Sequence, residues 1–115
     1  MSEYVFLYRG GDRPTAPSPE ARQQSMQKWM AWFKDLAAGD HLIERGQPLE
    51  QYGKTVQPGS KAVVDGPFAE TKDIVGGFSI IKADSFEQAC ELAKGCPFLD
   101  VCGSVEVRPI MPMDI

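Results

Sequence analysis

The sequence predicts an α+β domain of the ferredoxin-like β-α-β-β-α-β plan, with two helices on one face of an antiparallel sheet. Three observations lead to this prediction. Segments with strand alternation begin and end the chain, a long segment after the first strand has apolar residues at helical spacing, and a capping box precedes a second helix. The 115 residues fit a single domain spanning residues 1–115.

The first strand and the first helix follow from side-chain periodicity. Residues 3–9 alternate between two faces, and two glycines end this strand. Ser18 is expected to cap the helix, Pro19 suits its first turn, and Gly39 ends it. The apolar stripe expected to face the sheet consists of Met26, Trp29, Met30, Phe33, Leu36 and Ala37, with Trp32 at its flank.

The middle of the chain, residues 40–65, contains many glycines and prolines and predicts a hairpin or an edge excursion. Leu42-Ile43-Glu44 and residues 61–65 are short strand candidates within it. The run Asp65-Gly66-Pro67-Phe68 predicts a turn, because Pro fixes φ and Gly permits unusual backbone angles. Residues 74–82 are the clearest strand, in which Gly76-Gly77 predicts a bulge or a close backbone approach.

The last helix and strand have equally clear signals. Ser85-Phe86-Glu87-Gln88 is a capping box, and Gly95 and Pro97 end the helix that follows. The stripe expected to be buried consists of Phe86, Ala89, Cys90 and Ala93. Residues 103–110 alternate as a final strand.

Two helices can cover only one face of this sheet, and the two faces are assigned from composition. Val5 and Leu7 with Val105 and Val107 are predicted to face the helices. The uncovered face is then expected to carry Tyr4, Phe6, Tyr8, Ser104, Glu106 and Arg108. Because an exposed apolar surface marks a partner or ligand site, we predict a sheet-to-sheet homodimer with Glu106 and Arg108 in its cleft. The alternative is that residues 40–61 of the same chain shield this face.

Composition and charge exclude several classes of protein. A net charge of −4, from 16 acidic and 12 basic residues, disfavours nucleic-acid binding. No apolar run has the length of a membrane span, and the N-terminus lacks the features of a signal peptide. Three cysteines, at positions 90, 96 and 102, indicate a reducing compartment. We therefore expect a cytoplasmic protein with no nucleic-acid or membrane partner.

Candidate chemistry gathers around residues 65–72. Asp65 ends a strand, so its carboxylate is either a general base or ligand anchor, or the cap of its own turn. Glu70 and Lys72 either pair on one face or are solvated. His41, the only histidine, is an acid–base group, a surface residue or a residue that interacts with the dipole at the end of the first helix. One histidine, without CxxC or HxxxH spacing, predicts no metal site.

The residues around Asp65 also carry a family resemblance. Val-Asp-Gly-Pro-Phe-Ala-Glu-Thr-Lys-Asp at 64–73, Gly76-Gly77-Phe78 and residues 106–110 resemble the DGPF-domain branch of the YCII-related proteins. The resemblance spans nearly the whole chain and implies a dimeric α+β barrel of ferredoxin-like protomers. In the wider group a His–Asp pair has been proposed as catalytic. Asp65 matches the acid, whereas residues 23–26, Gln-Gln-Ser-Met, occupy the place of the family's first-helix histidine.

Two functional hypotheses follow. The first is a cytoplasmic homodimer whose cleft binds a small anionic ligand through Arg108 and in which Asp65 transfers protons without a cofactor. The residues predicted to line the cleft are Tyr8, Gly66, Pro67, Phe68, Glu70, Lys72, Glu106 and Arg108. The second is a non-catalytic ligand-sensing or protein-binding module. The resemblance connects it with transcriptional regulation, because members of this branch are often encoded beside extracytoplasmic-function sigma factors.

Overall fold

The computed structural model describes residues 1–11, 18–66 and 71–113. Its elements in chain order are β1 (Ser2–Gly10), α1 (Pro19–Ala38), β2 (Leu42–Glu44), β3 (Gly53–Val56), β4 (Val63–Gly66), β5 (Val75–Ala83), α2 (Phe86–Ala93) and β6 (Gly103–Pro109). Short 3-10 turns lie at Thr71–Asp73 and Pro97–Val101.

The main sheet has the strand order β2-β5-β1-β6, and every neighbouring pair is antiparallel. Strands β3 and β4 form a separate two-stranded hairpin between β2 and β5. With this hairpin set aside, the chain follows the predicted β-α-β-β-α-β plan. Both helices contribute to one hydrophobic core, so both lie on the same face of the sheet. The predicted α+β fold class is confirmed.

The side-chain assignment of β1 was wrong. Tyr4, Phe6 and Tyr8 point toward the helices and are buried, with Phe6 fully inaccessible to solvent. Phe6 stacks on Trp32 of α1 with ring centroids 6.0 Å apart. Aromatic rings bury more area than aliphatic side chains and gain further from pairing with one another, so the helix-covered face takes them. Val5 and Leu7 consequently lie on the open face.

A chain of hydroxyl groups satisfies Tyr8 inside the core. The Tyr8 hydroxyl donates to Ser79 Oγ at 2.7 Å, and Ser79 Oγ donates to the Arg45 carbonyl at 2.6 Å. Burial raises the pKa of Tyr8, an effect that the Ser79 hydrogen bond partly offsets. The phenol therefore stays protonated and remains a donor. This network ties β1 and β5 to the segment that follows β2.

This network predicts an unequal pair of substitutions. Ser79→Ala should destabilise the protein by about 1–3 kcal/mol, because it removes the acceptor of a buried phenol and the donor to a carbonyl. Tyr8→Phe should cost about 1 kcal/mol, because Ser79 still donates to Arg45. Urea unfolding of the two variants measures the difference. Equal losses, or a larger loss for Tyr8→Phe, would contradict the network.

The apolar stripe of α1 differs from the predicted one. Trp32, Phe33 and Leu36 are buried, whereas Met26, Met30 and Ala37 are exposed. Trp32 was expected to flank the stripe, but its indole Nε1 donates to the Leu92 carbonyl at 3.3 Å within the core. The buried stripe therefore follows Trp29, Trp32, Phe33 and Leu36, so the helix is rotated about its axis relative to the prediction. The first ten residues of the helix, 19–28, are exposed.

Helix boundaries agree closely with the capping signals. Ser18 Oγ accepts from the Ala21 amide, and Ser85 Oγ accepts from the Gln88 amide. In α2, Ala89 and Ala93 are buried as predicted, and Cys90 is half-buried. Phe86 is 43% exposed, although its ring contacts Tyr4.

The open face of the sheet is apolar at its centre and charged along β6. Residues directly opposite in the register share a face, so Val5 and Leu7 lie with Ile80 and Phe78. These four side chains are half-buried, although no described element covers them. On the β6 side, Leu7 is opposite Glu106 and Val5 is opposite Arg108. The predicted open-face position of Glu106 and Arg108 is correct.

Candidate functional site

A cavity of about 510 Å³ opens at one corner of the main sheet. It is lined by Arg9, residues 49–52 and residues 73–75. This volume lies within the range of small-molecule sites, roughly 300–1,000 Å³. We call this cavity the Arg9 cleft.

Backbone hydrogen bonds fix the walls of the Arg9 cleft to the sheet. The Gly10 amide donates to the Ile74 carbonyl at 3.0 Å, and the Leu49 amide donates to the Gly76 carbonyl at 2.8 Å. The register of β1 and β5 shifts beyond Tyr8, which leaves Gly76 as an extra residue. The predicted bulge at Gly76-Gly77 therefore exists, and it receives the chain that forms one wall.

The Arg9 guanidinium is held in a defined orientation. Its Nε donates to Glu106 Oε1 at 2.9 Å, and one terminal nitrogen donates to the Asp73 carbonyl at 2.7 Å. The side chain retains 29% of its exposure. A guanidinium fixed in this way by two acceptors is preorganised for a third, because little rotamer entropy remains to be lost.

Glu106 links two arginines on the open face. Its Oε2 lies 3.8 Å from Arg108 Nε, a longer contact than that between Oε1 and Arg9. The Arg108 side chain is 67% exposed. Arg9 is therefore the constrained cation of the pair, and Arg108 is a loosely held one.

Asp65 lies on the hairpin and not at the cleft. Its carboxylate forms a salt bridge of 3.2 Å with Lys54 across the β3–β4 pair, and the side chain is 82% exposed. Arg108 lies on β6, at the far edge of a different sheet. No hydrogen bond or ion pair joins Asp65 to Glu106 or Arg108 among residues 1–11, 18–66 and 71–113.

The other predicted cleft residues are dispersed. Tyr8 is buried on the helix side and cannot line the open face, which corrects its assignment as a cleft wall. Gly66 is buried at the end of β4, and Lys72 is exposed in the 3-10 turn. Pro67, Phe68 and Glu70 lie outside the described residues. Of the predicted set, Glu106 forms a hydrogen bond with Arg9, which lines the Arg9 cleft.

His41 joins α1 to the sheet. Its amide donates to the Leu36 carbonyl at 2.8 Å, and its Nδ1 lies 2.8 Å from the Lys82 carbonyl. The ring is half-buried by these contacts. This position matches the alternative in which His41 interacts with the end of the first helix.

The sequence-based prediction missed Arg9, Glu50, Tyr52 and Asp73 as cleft residues. Arg9 had one detectable signal, because it shares a strand face with Val5 and Leu7 and is charged. A charged residue on a face assigned to the helices is a contradiction that favours the opposite assignment. Glu50 and Tyr52 gave no comparable signal, since they lie in an irregular segment.

The described regions contain neither a cluster of metal ligands nor a membrane-spanning helix. No group of three His, Cys, Asp or Glu side chains there is arranged to hold a metal ion. No helix in these regions combines the length and the apolar composition needed to cross a membrane.

Comparisons with known proteins identify relatives. The family model for the YCII-related domain matches residues 3–114. An uncharacterized protein, R00369 of Rhizobium meliloti (strain 1021), is 42% identical over 53 residues, which are 45% of this chain and 43% of the relative. The match thus spans less than half the length of that curated relative. A solved structure, 5-chloro-2-hydroxyhydroquinone dehydrochlorinase from Burkholderia phenoliruptrix AC1100 in complex with 2,5-dihydroxybenzoquinone, is 22% identical, with a TM-score of 0.47 and coverage of 93% of each chain.

Proposed function

The chain belongs to the YCII-related family, and we propose that it forms a homodimer through its uncovered sheet face and binds a small organic anion in the Arg9 cleft. The observation that carries this proposal is the Arg9 guanidinium, fixed by Glu106 and the Asp73 carbonyl beside a ligand-sized cavity. A preorganised guanidinium binds carboxylates well, because its planar N–H groups match the carboxylate oxygens.

The rest of the lining defines the ligand class. Leu49, Ile74 and Val75 offer apolar contacts, and Tyr52 adds an aromatic ring. Glu50 and Asp73 bring carboxylates to the same cavity, which favours ligand hydroxyl donors and opposes a second negative charge. The ligand we propose is a singly charged organic acid with an apolar or aromatic body and hydroxyl groups.

The homodimer follows from the open face of the sheet. Val5, Leu7, Phe78 and Ile80 form an apolar centre that no described element of the protomer covers. A contiguous apolar surface of this kind favours association. A second copy that stacks its own sheet on this face would also restrict access to the Arg9 cleft, which is open to solvent in the single chain.

The proposal has a catalytic and a non-catalytic version. Cofactor-independent proton transfer by Asp65 requires its carboxylate to lie beside the bound ligand. Within one protomer that carboxylate is 82% exposed and forms an ion pair with Lys54. This supports a role for the Arg9 cleft in binding a ligand without converting it. A ligand-sensing module, the role that the resemblance to the DGPF-domain branch connects with sigma factors, is this non-catalytic version.

Native mass and ligand retention test the proposal together. We expect sedimentation velocity at micromolar concentration to give twice the chain mass of 12.7 kDa. We also expect denaturation to release a singly charged organic acid in roughly stoichiometric amount, which mass spectrometry of the supernatant would identify. A monomer, or a dimer that retains only neutral or cationic compounds and does not bind added benzoate, would reject the proposal.

A further inference from the structure

Tyr52 presents its ring to solvent at the Arg9 cleft. It is 82% exposed, more than any other large hydrophobic residue in residues 1–11, 18–66 and 71–113, although it lines the cavity. No ring of the described residues contacts it, whereas the rings of β1 and α1 pair with one another in the core. Paired aromatic rings gain free energy beyond the apolar area that they bury. The cleft therefore carries a stacking surface that the described residues leave unused.

The segment that carries Tyr52 is free to adjust to a ligand. Leu49 is fixed to β5, because its amide donates to the Gly76 carbonyl at 2.8 Å, and β3 begins at Gly53. The residues between them, 50–52, are exposed and form no hydrogen bond or ion pair with the described residues. Tyr52 can therefore change rotamer without breaking a described hydrogen bond or ring contact. A tyrosine has only two side-chain torsions to fix, so ordering its ring on a ligand costs little entropy.

Arg9 fixes the place of the acid group of a ligand. Its guanidinium is held by Glu106 and by the Asp73 carbonyl, so a carboxylate bound to it has a defined position in the cavity. The body of that ligand then lies against the rest of the lining, where residues 74–75 are half-buried and Tyr52 is exposed. A planar ligand ring gives Tyr52 an aromatic surface to stack on, which a saturated ring of the same size does not.

Resting on the anion binding proposed above, we infer that Tyr52 is the specificity-determining residue of the Arg9 cleft. Its ring stacks on the ring of the bound acid, which narrows the ligand class from organic acids in general to aromatic monocarboxylic acids. Specificity is a ratio of affinities, and stacking raises only the affinity of the aromatic member of a matched pair. Benzoate and cyclohexanecarboxylate form such a pair, because each carries a single carboxylate on a ring of the same number of carbon atoms.

Two substitutions at Tyr52 test the stacking. The dissociation constants of benzoate and cyclohexanecarboxylate are measured by titration of ¹⁵N-labelled protein, followed at the amides of residues 73–75. We expect the natural protein to prefer benzoate, and Tyr52→Phe, which keeps an aromatic ring, to preserve the ratio of the two constants. Tyr52→Leu should lower this preference about fivefold, because it keeps an apolar side chain but cannot stack as an aromatic ring. Both variants should fold normally, since substitution of an exposed side chain changes stability little.

The ring protons of benzoate give a second readout. Stacking on an aromatic ring shifts their resonances upfield, so the shift should occur with the natural protein and with Tyr52→Phe and be lost with Tyr52→Leu. Val56→Ala is the control, because Val56 is 64% exposed on β3 and does not line the cleft. It should leave both dissociation constants unchanged.

Failure of the stacking and failure of the anion site give different results. If both acids bind and Tyr52→Leu weakens them equally, or affects neither, the selectivity of Tyr52 is refuted and the Arg9 cleft remains a site for organic acids. If the natural protein binds neither acid, the anion site itself is refuted, and the selectivity with it.

Discussion

Gly46→Ala is expected to destabilise the protein by about 3 kcal/mol or more, a large share of the stability of a small domain. Gly46 is buried with φ +79°, a conformation that costs a residue with a Cβ about 1–2 kcal/mol. A Cβ there would collide with the Phe78 carbonyl oxygen, which belongs to the backbone of β5. The chain would have to shift, straining the hydrogen bond from the Gly46 amide to Glu44 and that from Ser79 to Arg45, each worth about 1 kcal/mol.

Gly59→Ala is the matched control for this substitution. Gly59 has φ +75° but no atom within 4 Å of an added Cβ, so its cost should be about 1–2 kcal/mol, the conformational cost alone. Urea unfolding of both variants isolates the effect of the backbone collision. Equal losses would mean that residues 46–49 do not lie against β5 as described. Because this segment leads into the wall of the Arg9 cleft, Gly46→Ala should also weaken ligand retention.

The element order was predictable because capping and periodicity act locally. Ser18 and Ser85 mark helix starts because their hydroxyls accept from amides three residues later, with no need for long-range contacts. The first helix ends at Gly39 as predicted, although the left-handed residue there is Asp40, with φ +62°. The glycine pair in β5 likewise predicted a bulge that the register contains. Residues 40–65 were predicted as a hairpin or an edge excursion, and the β3–β4 hairpin is one of these two alternatives; its strands are too short for periodicity to decide between them.

The two faces of β1 were assigned incorrectly because hydrophobicity alone does not distinguish them. Both alternating sets are apolar, and the final choice depends on the tertiary partners, namely Trp32 and Ser79. Charge at the ends of the strand was the decisive signal. The set with Val5 and Leu7 also contains Glu3 and Arg9, whereas the set with the aromatic residues contains no charge. That pattern indicates which face is open to solvent.

The site was less predictable than the fold, because it is assembled from segments distant in sequence. Arg9 meets Glu106 across 97 positions, through the β1–β6 register. Residues 49–52 reach the cleft only because Gly46 lets the chain cross Phe78. The motif around Asp65 identified the family, but Asp65 itself lies on the β3–β4 hairpin, paired with Lys54, and not at the Arg9 cleft.

Arg9→Lys should weaken binding of benzoate, a singly charged aromatic acid, by about tenfold. Lysine retains the positive charge but lacks the planar fork, so it cannot bind Glu106, the Asp73 carbonyl and a ligand carboxylate in one fixed geometry. Titration of ¹⁵N-labelled protein, followed at the amides of residues 73–75, measures the dissociation constant. Arg22→Lys on the exposed surface of α1 is the control and should leave it unchanged.

Glu106→Gln removes the negative charge beside Arg9 but keeps the shape of the side chain. It should strengthen benzoate binding, whereas Arg9→Lys should weaken it. The amide oxygen can still accept from Arg9 Nε, but the carboxylate that neutralises the guanidinium is gone, so benzoate should bind several-fold more tightly. Added salt should reduce this gain, because screening weakens the attraction at a partly exposed site. If Arg9→Lys has no effect, or if Glu106→Gln also weakens binding, Arg9 is a structural residue that holds β1 to β6, and the anion binds elsewhere.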